Sequence, residues 1–379
     1  MKIVFVNNML KNGGAEVSLC RIANLLCNKN HSVSIITIAQ EKNFTALLDN
    51  KIEYDFVISD SRRSNRMVNF LLRGFNFIKR PFTKVIMTYK LNRQKADVVI
   101  TFNEFEKCLI PLIRCKAGKK ICWFRHDITD NYICRRIIGA EKDKFISLFR
   151  DLDRLLFVTK SSMNNFCEHF PMFQKECEYF INSVDIREIH DFSKKEIIQR
   201  DNNKLIFLCL ARLAKEKGQD LLFEAAQLIE QTEQKDNYEI WLIGGRSYND
   251  FDYNPTGIIN TDVKSLGFMD NPYPYLKAAD VVVVPSRSEG CPNVILEAMA
   301  LGKPIISTKT SGGVELLENG KYGLLCDINA NSLFQAMIRM FDKSEYERYQ
   351  RVSEEKGKTH TNEAFTDSLN TYLETLIKE

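Results

Sequence analysis

The chain has no apolar run near the roughly 18 residues that a membrane-spanning helix requires, because charges interrupt its hydrophobic stretches throughout. No helical span is expected. Residues 1–8 read as a short strand and are too brief for the apolar core of a signal peptide. Cysteine is plentiful at eleven, yet no CxxC pair occurs and no cysteine–histidine cluster has metal-ligand spacing. That pattern argues against a zinc module or disulfide scaffold and for reduced thiols, mostly filling core positions. Histidine is scarce, at five, which leaves few candidates for acid–base work. No GxGxxG turn is present, and a nicotinamide-dependent enzyme is disfavoured. No Asp-x-Asp motif is expected in a loop to hold a metal.

Acid is missing from one long window. Residues 61–95 hold Arg62, Arg63, Arg66, Arg73, Lys79, Arg80, Lys84, Lys90, Arg93 and Lys95 but neither Asp nor Glu. Met67, Val68, Leu71, Leu72, Phe75 and Ile78 recur among them near helical spacing, with Phe70 and Phe77 widening the apolar face. A basic amphipathic helix of this kind lies on an anionic membrane surface. The competing reading is a domain helix with a core-facing stripe and solvated charges. The window skews the whole chain: residues 1–190 carry 31 Lys+Arg against 20 Asp+Glu, and the rest carries 22 against 29. The first half is therefore the half with a charged partner. Nucleic acid is disfavoured, since no recognised binding module accompanies the charge.

At 379 residues the chain exceeds one ordinary core, and two domains are expected. Strand-like runs at 3–6, 33–38, 97–101, 120–124 and 155–158 alternate with helical patterns. After a polar stretch at 192–203 the alternation resumes, with strands at 205–210, 239–243, 263–266, 281–284 and 305–307. Such alternation predicts α/β architecture: two Rossmann-like, doubly wound parallel-sheet domains facing a cleft, with ligands at the carboxyl ends of the strands. The domains are placed at 1–190 and 200–358, with a C-terminal helix at 360–379 packing back on the first.

The densest signal follows the four valines 281–284. Ser286-Arg287-Ser288-Glu289-Gly290-Cys291-Pro292-Asn293 are turn formers, and a helical run begins at Val294. A strand, a loop and a helix N-terminus present backbone N–H groups and a positive dipole end to a phosphate. Glu289 in the loop and Glu297 on the helix are placed to hold different parts of one ligand. Arg212 and Lys217 lie between another strand and helix, where two cations clamp a diphosphate. Near the start, Gly13 and Gly14 open a helix and let backbone approach an anion. Ser311-Gly312-Gly313-Val314-Glu315 offers a backbone wall for sugar hydroxyls. His126 stands just past a strand of the first half. His31, His169, His190 and His360 read as surface or turn residues.

Together these segments resemble the family-4 retaining glycosyltransferases of the GT-B fold, over nearly the whole chain. Glu289 to Glu297 is similar to that family's E-x7-E motif. Gly267-Phe268 through Asn271-Pro272-Tyr273 to Ala279-Asp280 is similar to the usual approach to it, and Gly13 to Glu16 to the N-terminal loop of bacterial members. Phe180 to Asp185 resembles the crossover between domains, although serine follows Asn182 where glycine or proline is usual. The resemblance implies roles. Arg212 and Lys217 hold the donor diphosphate, and the backbone after Glu289, through Cys291, Pro292 and Asn293, lines the distal phosphate, its non-proline N–H groups donating to it. Glu297 takes the ribose, and Glu289 with Gly290 the transferred sugar. Gly14 approaches the phosphate or the acceptor from the first domain, and His126 matches the histidine near the reacting centre.

The resemblance further implies a retaining hexosyltransferase of cell-surface polysaccharide synthesis, lipopolysaccharide or capsule. It would use a nucleotide diphosphate sugar, UDP by preference, as co-substrate with no metal or other cofactor. The acceptor would be a glycan or a lipid-linked sugar, and the location cytoplasmic and peripheral at the inner face of the membrane. A nucleotide-sugar epimerase or hydrolase, and an inactive GT-B scaffold, stand as alternatives.

Overall fold

The computed structural model describes residues 1–10, 13–40, 45–59, 80–127, 142–245 and 263–379. They form two compact units, one of Met1–Ile181 with Glu363–Glu379 and the other of Asn182–Asn362. The division falls before the expected boundary at 190. The helix Ile186–Phe192 is tied instead to the second unit, capped by Asp185, whose Oδ1 accepts from the Glu188 N–H at 2.9 Å.

The first unit carries a seven-stranded sheet. Its strands are β1 (Lys2–Asn7), β2 (Ser32–Ala39), β3 (Glu53–Ile58), β4 (Val98–Thr101), β5 (Lys119–Trp123), β6 (Arg154–Phe157) and β7 (Cys177–Tyr179). Their order is β3-β2-β1-β4-β5-β6-β7, all parallel. The second unit carries β8 (Leu205–Leu210), β9 (Tyr238–Ile243), β10 (Val263–Gly267), β11 (Val281–Val284), β12 (Ile305–Thr308) and β13 (Leu324–Cys326). Their order is β10-β9-β8-β11-β12-β13, again parallel throughout. Interior strands such as β11 are buried at every residue, because helices cover both faces of a parallel sheet. This is the doubly wound pair of domains expected from the alternation.

Three strands escaped the sequence reading: β3, β7 and β13. Each is an edge strand. An edge has one neighbour and less burial, so β3 reads Glu-Tyr-Asp-Phe-Val-Ile rather than as a hydrophobic run, and the other two have three residues each.

Each unit packs its own core. In the first, Phe124, Phe149, Phe157 and Phe166 form one contiguous aromatic cluster, with Phe124 stacked on Phe157 at 4.8 Å between centroids. The C-terminal helix Asn362–Lys378 brings Phe365 against Trp123 and Phe180 of this unit. In the second, Phe207, Tyr238, Leu222 and Met337 lie in one buried cluster. Of the histidines read as surface or turn residues, His31 is inside, 9% exposed with its Nε2 2.5 Å from Asn370 Oδ1, whereas His360 is half-buried.

Candidate functional site

In the second sheet β8 is flanked by β9 on one side and β11 on the other. Connections leaving β8 and β11 therefore run in opposite directions and leave a crevice at their carboxyl ends, the usual ligand position in such sheets. Arg212 and Lys217 stand after β8, and Ser286 to Asn293 after β11. The topology thus places the two most suggestive sequence segments side by side.

Their backbones meet closely. Gly218 adopts φ +65° between the short turn Lys215–Lys217 and the helix Gln219–Ile229, and a Cβ there would lie 2.0 Å from the Pro285 carbonyl oxygen. Only glycine serves at a left-handed position with backbone against it. Arg287 completes the seam. Its N–H donates to the Glu216 carbonyl, and its guanidinium donates to the Lys215 carbonyl and, in bidentate fashion, to Asp220 at 2.8 and 2.7 Å. Arg287 thereby pins one loop to the other. The sequence reading gave it no role, because its partner Asp220 lies 67 positions away.

Glu289 is the hub. Its Oε1 accepts from Lys217 Nζ at 2.7 Å and from the Ser286 hydroxyl at 2.7 Å. Its carbonyl accepts from the Gly312 N–H at 3.1 Å and the Ser311 hydroxyl at 3.0 Å. The Lys217 and Glu289 side chains retain 20% and 13% of their exposure, so their attraction is only partly screened by water. Arg212, 45% exposed, lies 3.3 Å from Glu216, and its carbonyl accepts from Gln219 Nε2 at 2.8 Å. Both expected cations therefore stand after β8, a strand that flanks the crevice, Arg212 the more exposed and Lys217 the more tightly paired.

Gly290, Cys291 and Pro292 lead into the helix Asn293–Ala300, whose N-terminus has no side-chain cap. Such an end attracts an anion through its dipole and backbone donors. The Asn293 side chain accepts from Asn182 Nδ2 at 2.7 Å, which fixes the first helical residue to the segment entering this unit. Glu297, one helical turn further on, is half-buried on the same helix.

The 311–315 segment packs directly on the Glu289 loop. Thr310 caps the helix Ser311–Leu316 by accepting from the Gly313 N–H at 3.2 Å, while the Gly312 N–H is engaged by Glu289. The Gly312 N–H braces the Glu289 loop, and the Gly313 N–H closes the cap of its own helix. A Cβ on Gly312 would fall 2.5 Å from the Gly290 carbonyl oxygen, so the loop and this helix touch through backbone alone.

In the first unit Gly14 begins the helix Gly14–Asn28, as the paired glycines implied. The Glu16 carboxylate folds back onto this turn, where a Cβ on Gly13 would meet it at 2.3 Å, so an anion of the chain's own already lies there. His126 stands beyond the carboxyl end of β5 with a side chain 42% exposed, and its Nδ1 lies 2.7 Å from Glu104 Oε1. Glu104, fully buried, went unnoticed in sequence because a single Glu after a strand carries no motif.

Two Asp-x-Asp triplets do occur, at 151–153 and 250–252. In the first, Asp153 Oδ2 accepts from the Lys120 N–H at the amino end of β5, a structural task remote from the strand's carboxyl end. The second lies outside the described residues, as do residues 60–79, which hold the apolar stripe of the basic window. Its remainder forms a short turn at Arg80–Phe82 and the helix Thr83–Gln94, which buries Met87 and Leu91 and exposes Val85 and Tyr89, with Phe82 exposed at its N-cap. Among the described residues no helix is long and apolar enough to cross a membrane.

Residues 204–343, spanning the second sheet, match the family described as Glycosyl transferases group 1. A curated relative from Campylobacter jejuni, N-acetylgalactosamine-N,N'-diacetylbacillosaminyl-diphospho-undecaprenol 4-alpha-N-acetylgalactosaminyltransferase, is 27% identical over 216 residues, 56% of either chain. The Escherichia coli UDP-Gal:alpha-D-GlcNAc-diphosphoundecaprenol alpha-1,3-galactosyltransferase is 32% identical over 153 residues, 39% of this chain and 40% of its own. The matched part thus spans about half or less of these relatives. Among solved structures, Anabaena Alr3699/HepE in complex with UDP and glucose superposes with a TM-score of 0.78, covering 99% of both chains at 18% identity. WaaG, a glycosyltransferase involved in lipopolysaccharide biosynthesis, gives 0.72 over 98% of this chain and 99% of its own at 14% identity. At such identities the likeness concerns the fold, which is GT-B.

Proposed function

We propose that this chain, a glycosyltransferase of the group 1 family on the GT-B fold, moves a hexose or N-acetylhexosamine from a UDP-sugar to a lipid-linked glycan, with retention at the anomeric carbon. The observation that carries the reading is the Lys217–Glu289–Ser286 cluster at the switch point of the second sheet, with Arg212 beside it. The undecaprenol-linked substrates in the names of both curated relatives support the acceptor class. The UDP in the Anabaena complex supports the donor class.

Each residue has a task in this reading. Breaking the anomeric bond leaves charge on a diphosphate and develops positive character on the sugar. Arg212, Lys217 and the backbone from Gly290 through Asn293 meet the growing phosphate charge, and such fixed donors act most strongly where charge develops. Glu289 holds sugar hydroxyls and Glu297 the ribose. His126 is assigned to the donor sugar. Gly14, next to the Glu16 carboxylate, is better suited to a neutral acceptor hydroxyl than to a phosphate. The reaction as proposed needs no metal.

Membrane association is part of the proposal. Val85 and Tyr89, four apart on the helix, are 61% and 62% exposed, and Phe82 at its N-cap is 56% exposed. Lys84, Lys90, Arg93 and Lys95 belong to the same acid-free window, although Lys84 and Lys90 already pair with Glu106 and Asp55. Aromatic side chains among cations suit the headgroup level of an anionic leaflet.

The deciding experiment incubates the protein with a panel of nucleotide sugars, with and without a polyprenyl-diphosphate-linked sugar, and resolves products by mass spectrometry. Lengthened acceptor together with released UDP is expected. Epimerised or hydrolysed donor in the absence of acceptor, or no turnover with any donor, would sink the reading.

A further inference from the structure

β4 and β5 are adjacent and parallel, with Thr101 opposite Cys122. The loops that follow them therefore emerge together, and they place Glu104 three residues past one strand and His126 three past the other. The β4 loop is rigidly held. The Asn103 side chain donates to the side chain of Asn7 at the end of β1, and its Oδ1 accepts from the Phe105 N–H at 3.3 Å. Glu104 is thus a carboxylate of zero exposure whose Oε1 contacts His126 Nδ1 at 2.7 Å and whose Oε2 accepts from the Arg125 N–H at 3.3 Å. Burying a carboxylate is costly unless its oxygens are engaged. Here both oxygens are engaged by the loop that carries the histidine.

We propose that Glu104 is a positioning residue for His126: its buried carboxylate holds the ring in the Nδ1–H tautomer and makes Nε2 the nitrogen that bears the lone pair. A carboxylate has no proton to offer, so the nitrogen facing it at 2.7 Å is the one that carries hydrogen. The charge lies inside and the ring, 42% exposed, reaches outward. Nε2 then accepts from a hydroxyl of the substrate in a fixed orientation, an arrangement known wherever a second carboxylate sets the tautomer of a working histidine. The effect on turnover rests on the glycosyl-transfer reading, whereas the tautomer does not.

The test uses the full chain labelled with nitrogen-15 histidine, which gives only five imidazoles to assign. His126 is expected as the Nδ1–H tautomer in the unaltered protein and as a mixture rich in Nε2–H in Glu104→Leu. Turnover of Glu104→Leu should fall about 10- to 100-fold, with the donor KM changed by less than about threefold. Glu104→Gln, whose amide oxygen accepts the same N–H, should recover part of that loss and serves if the leucine variant does not fold. In a His126→Ala background neither substitution should cost further turnover. An Nε2–H tautomer in the unaltered protein overturns the proposal, as does an equal loss with and without His126, or full turnover by His126→Ala. If no donor is turned over at all, the functional reading fails while the tautomer result still stands or falls by itself.

Discussion

The ammonium of Lys217 lies 2.7 Å from a carboxylate oxygen of Glu289, across 72 positions of sequence. The pair joins the loop after β8 to the loop after β11, and a lysine has three donors, so one contact with Glu289 leaves capacity for phosphate oxygens. Lys217→Ala should lower kcat/KM by about 10²- to 10³-fold, the usual loss for a donor that meets transition-state charge. Lys217→Arg should restore little, because a planar fork does not replace a compact ammonium on this short span. Steady-state kinetics and calorimetric titration with UDP measure both effects. Near-normal activity of the alanine variant would remove Lys217 from the site.

Backbone contacts around that pair make a second prediction. A Cβ at Gly312 would sit 2.5 Å from the Gly290 carbonyl oxygen and 2.8 Å from Pro292 Cδ, and one at Gly218 would sit 2.0 Å from the Pro285 oxygen. Neither neighbour is the end of a flexible side chain. Gly312→Ala and Gly218→Ala should each destabilise by about 1–3 kcal/mol and weaken UDP binding, since the loop itself must shift. Gly267 is the control: its φ is +74° but, among the described residues, nothing lies within 4 Å of an added Cβ. Gly267→Ala should carry only the strain of a left-handed residue, about 1 kcal/mol. Urea unfolding with UDP titration reads these, and equal UDP affinity in all three would show the loops to be more pliant than the geometry implies.

Most of this architecture was legible because its signals are local. The valines of β11 and the apolar runs of β4 and β8 are interior strands, and Gly218 and Pro292 mark turns by their own chemistry. What stayed hidden depends on partners remote in sequence. Arg287 looks like a solvated loop charge until Asp220 is placed beside it. Glu104 becomes meaningful only when the parallel pairing of β4 and β5 brings His126 to it. Gly312 and Gly313 read in sequence as a backbone wall for a ligand, and only the fold shows that Glu289 and Thr310 engage their N–H groups. His31 is buried and meets Asn370 of the C-terminal helix, which no local pattern links to it.

The exposed face of the helix Thr83–Gln94 predicts a measurable affinity for anionic vesicles. Replacing Phe82, Val85 and Tyr89 together by serine removes the apolar anchor while leaving the buried Met87 and Leu91 in place. Co-sedimentation with vesicles containing phosphatidylglycerol should fall about tenfold or more, from lost burial of apolar surface. The basic contribution should weaken as salt rises past about 0.15 M, where screening acts within about 8 Å. Equal sedimentation of the unaltered and triple-serine proteins would assign the basic window to some other partner.

His360 supplies a pH dependence of stability. Burial, aided by the nearby Lys356 ammonium, pushes its imidazole down from 6.5 to about 4. Its Nε2 is enclosed with no hydrogen-bond partner among the described residues, and its carbonyl accepts from the Val184 N–H at 3.2 Å beside the Val184–Thr361 bridge. In the unfolded chain the ring binds a proton near pH 6.5, whereas the folded chain resists it until about pH 4. Between those values the unfolded state holds more protons, so stability is full above pH 6.5 and declines as pH falls toward 4, by up to about 3 kcal/mol. Glu318, held below the usual carboxylate range mainly by its hydrogen bond from Lys356, loses its own contribution in the same direction on acidification. A single unfolding curve would therefore mix the two. Comparing urea unfolding of the unaltered protein with His360→Gln at pH 7 and pH 4.5 separates them, because the variant keeps Glu318 and Lys356. The variant should lose less stability on acidification than the unaltered chain, and parallel losses would mean that His360 takes up its proton without disturbing the fold.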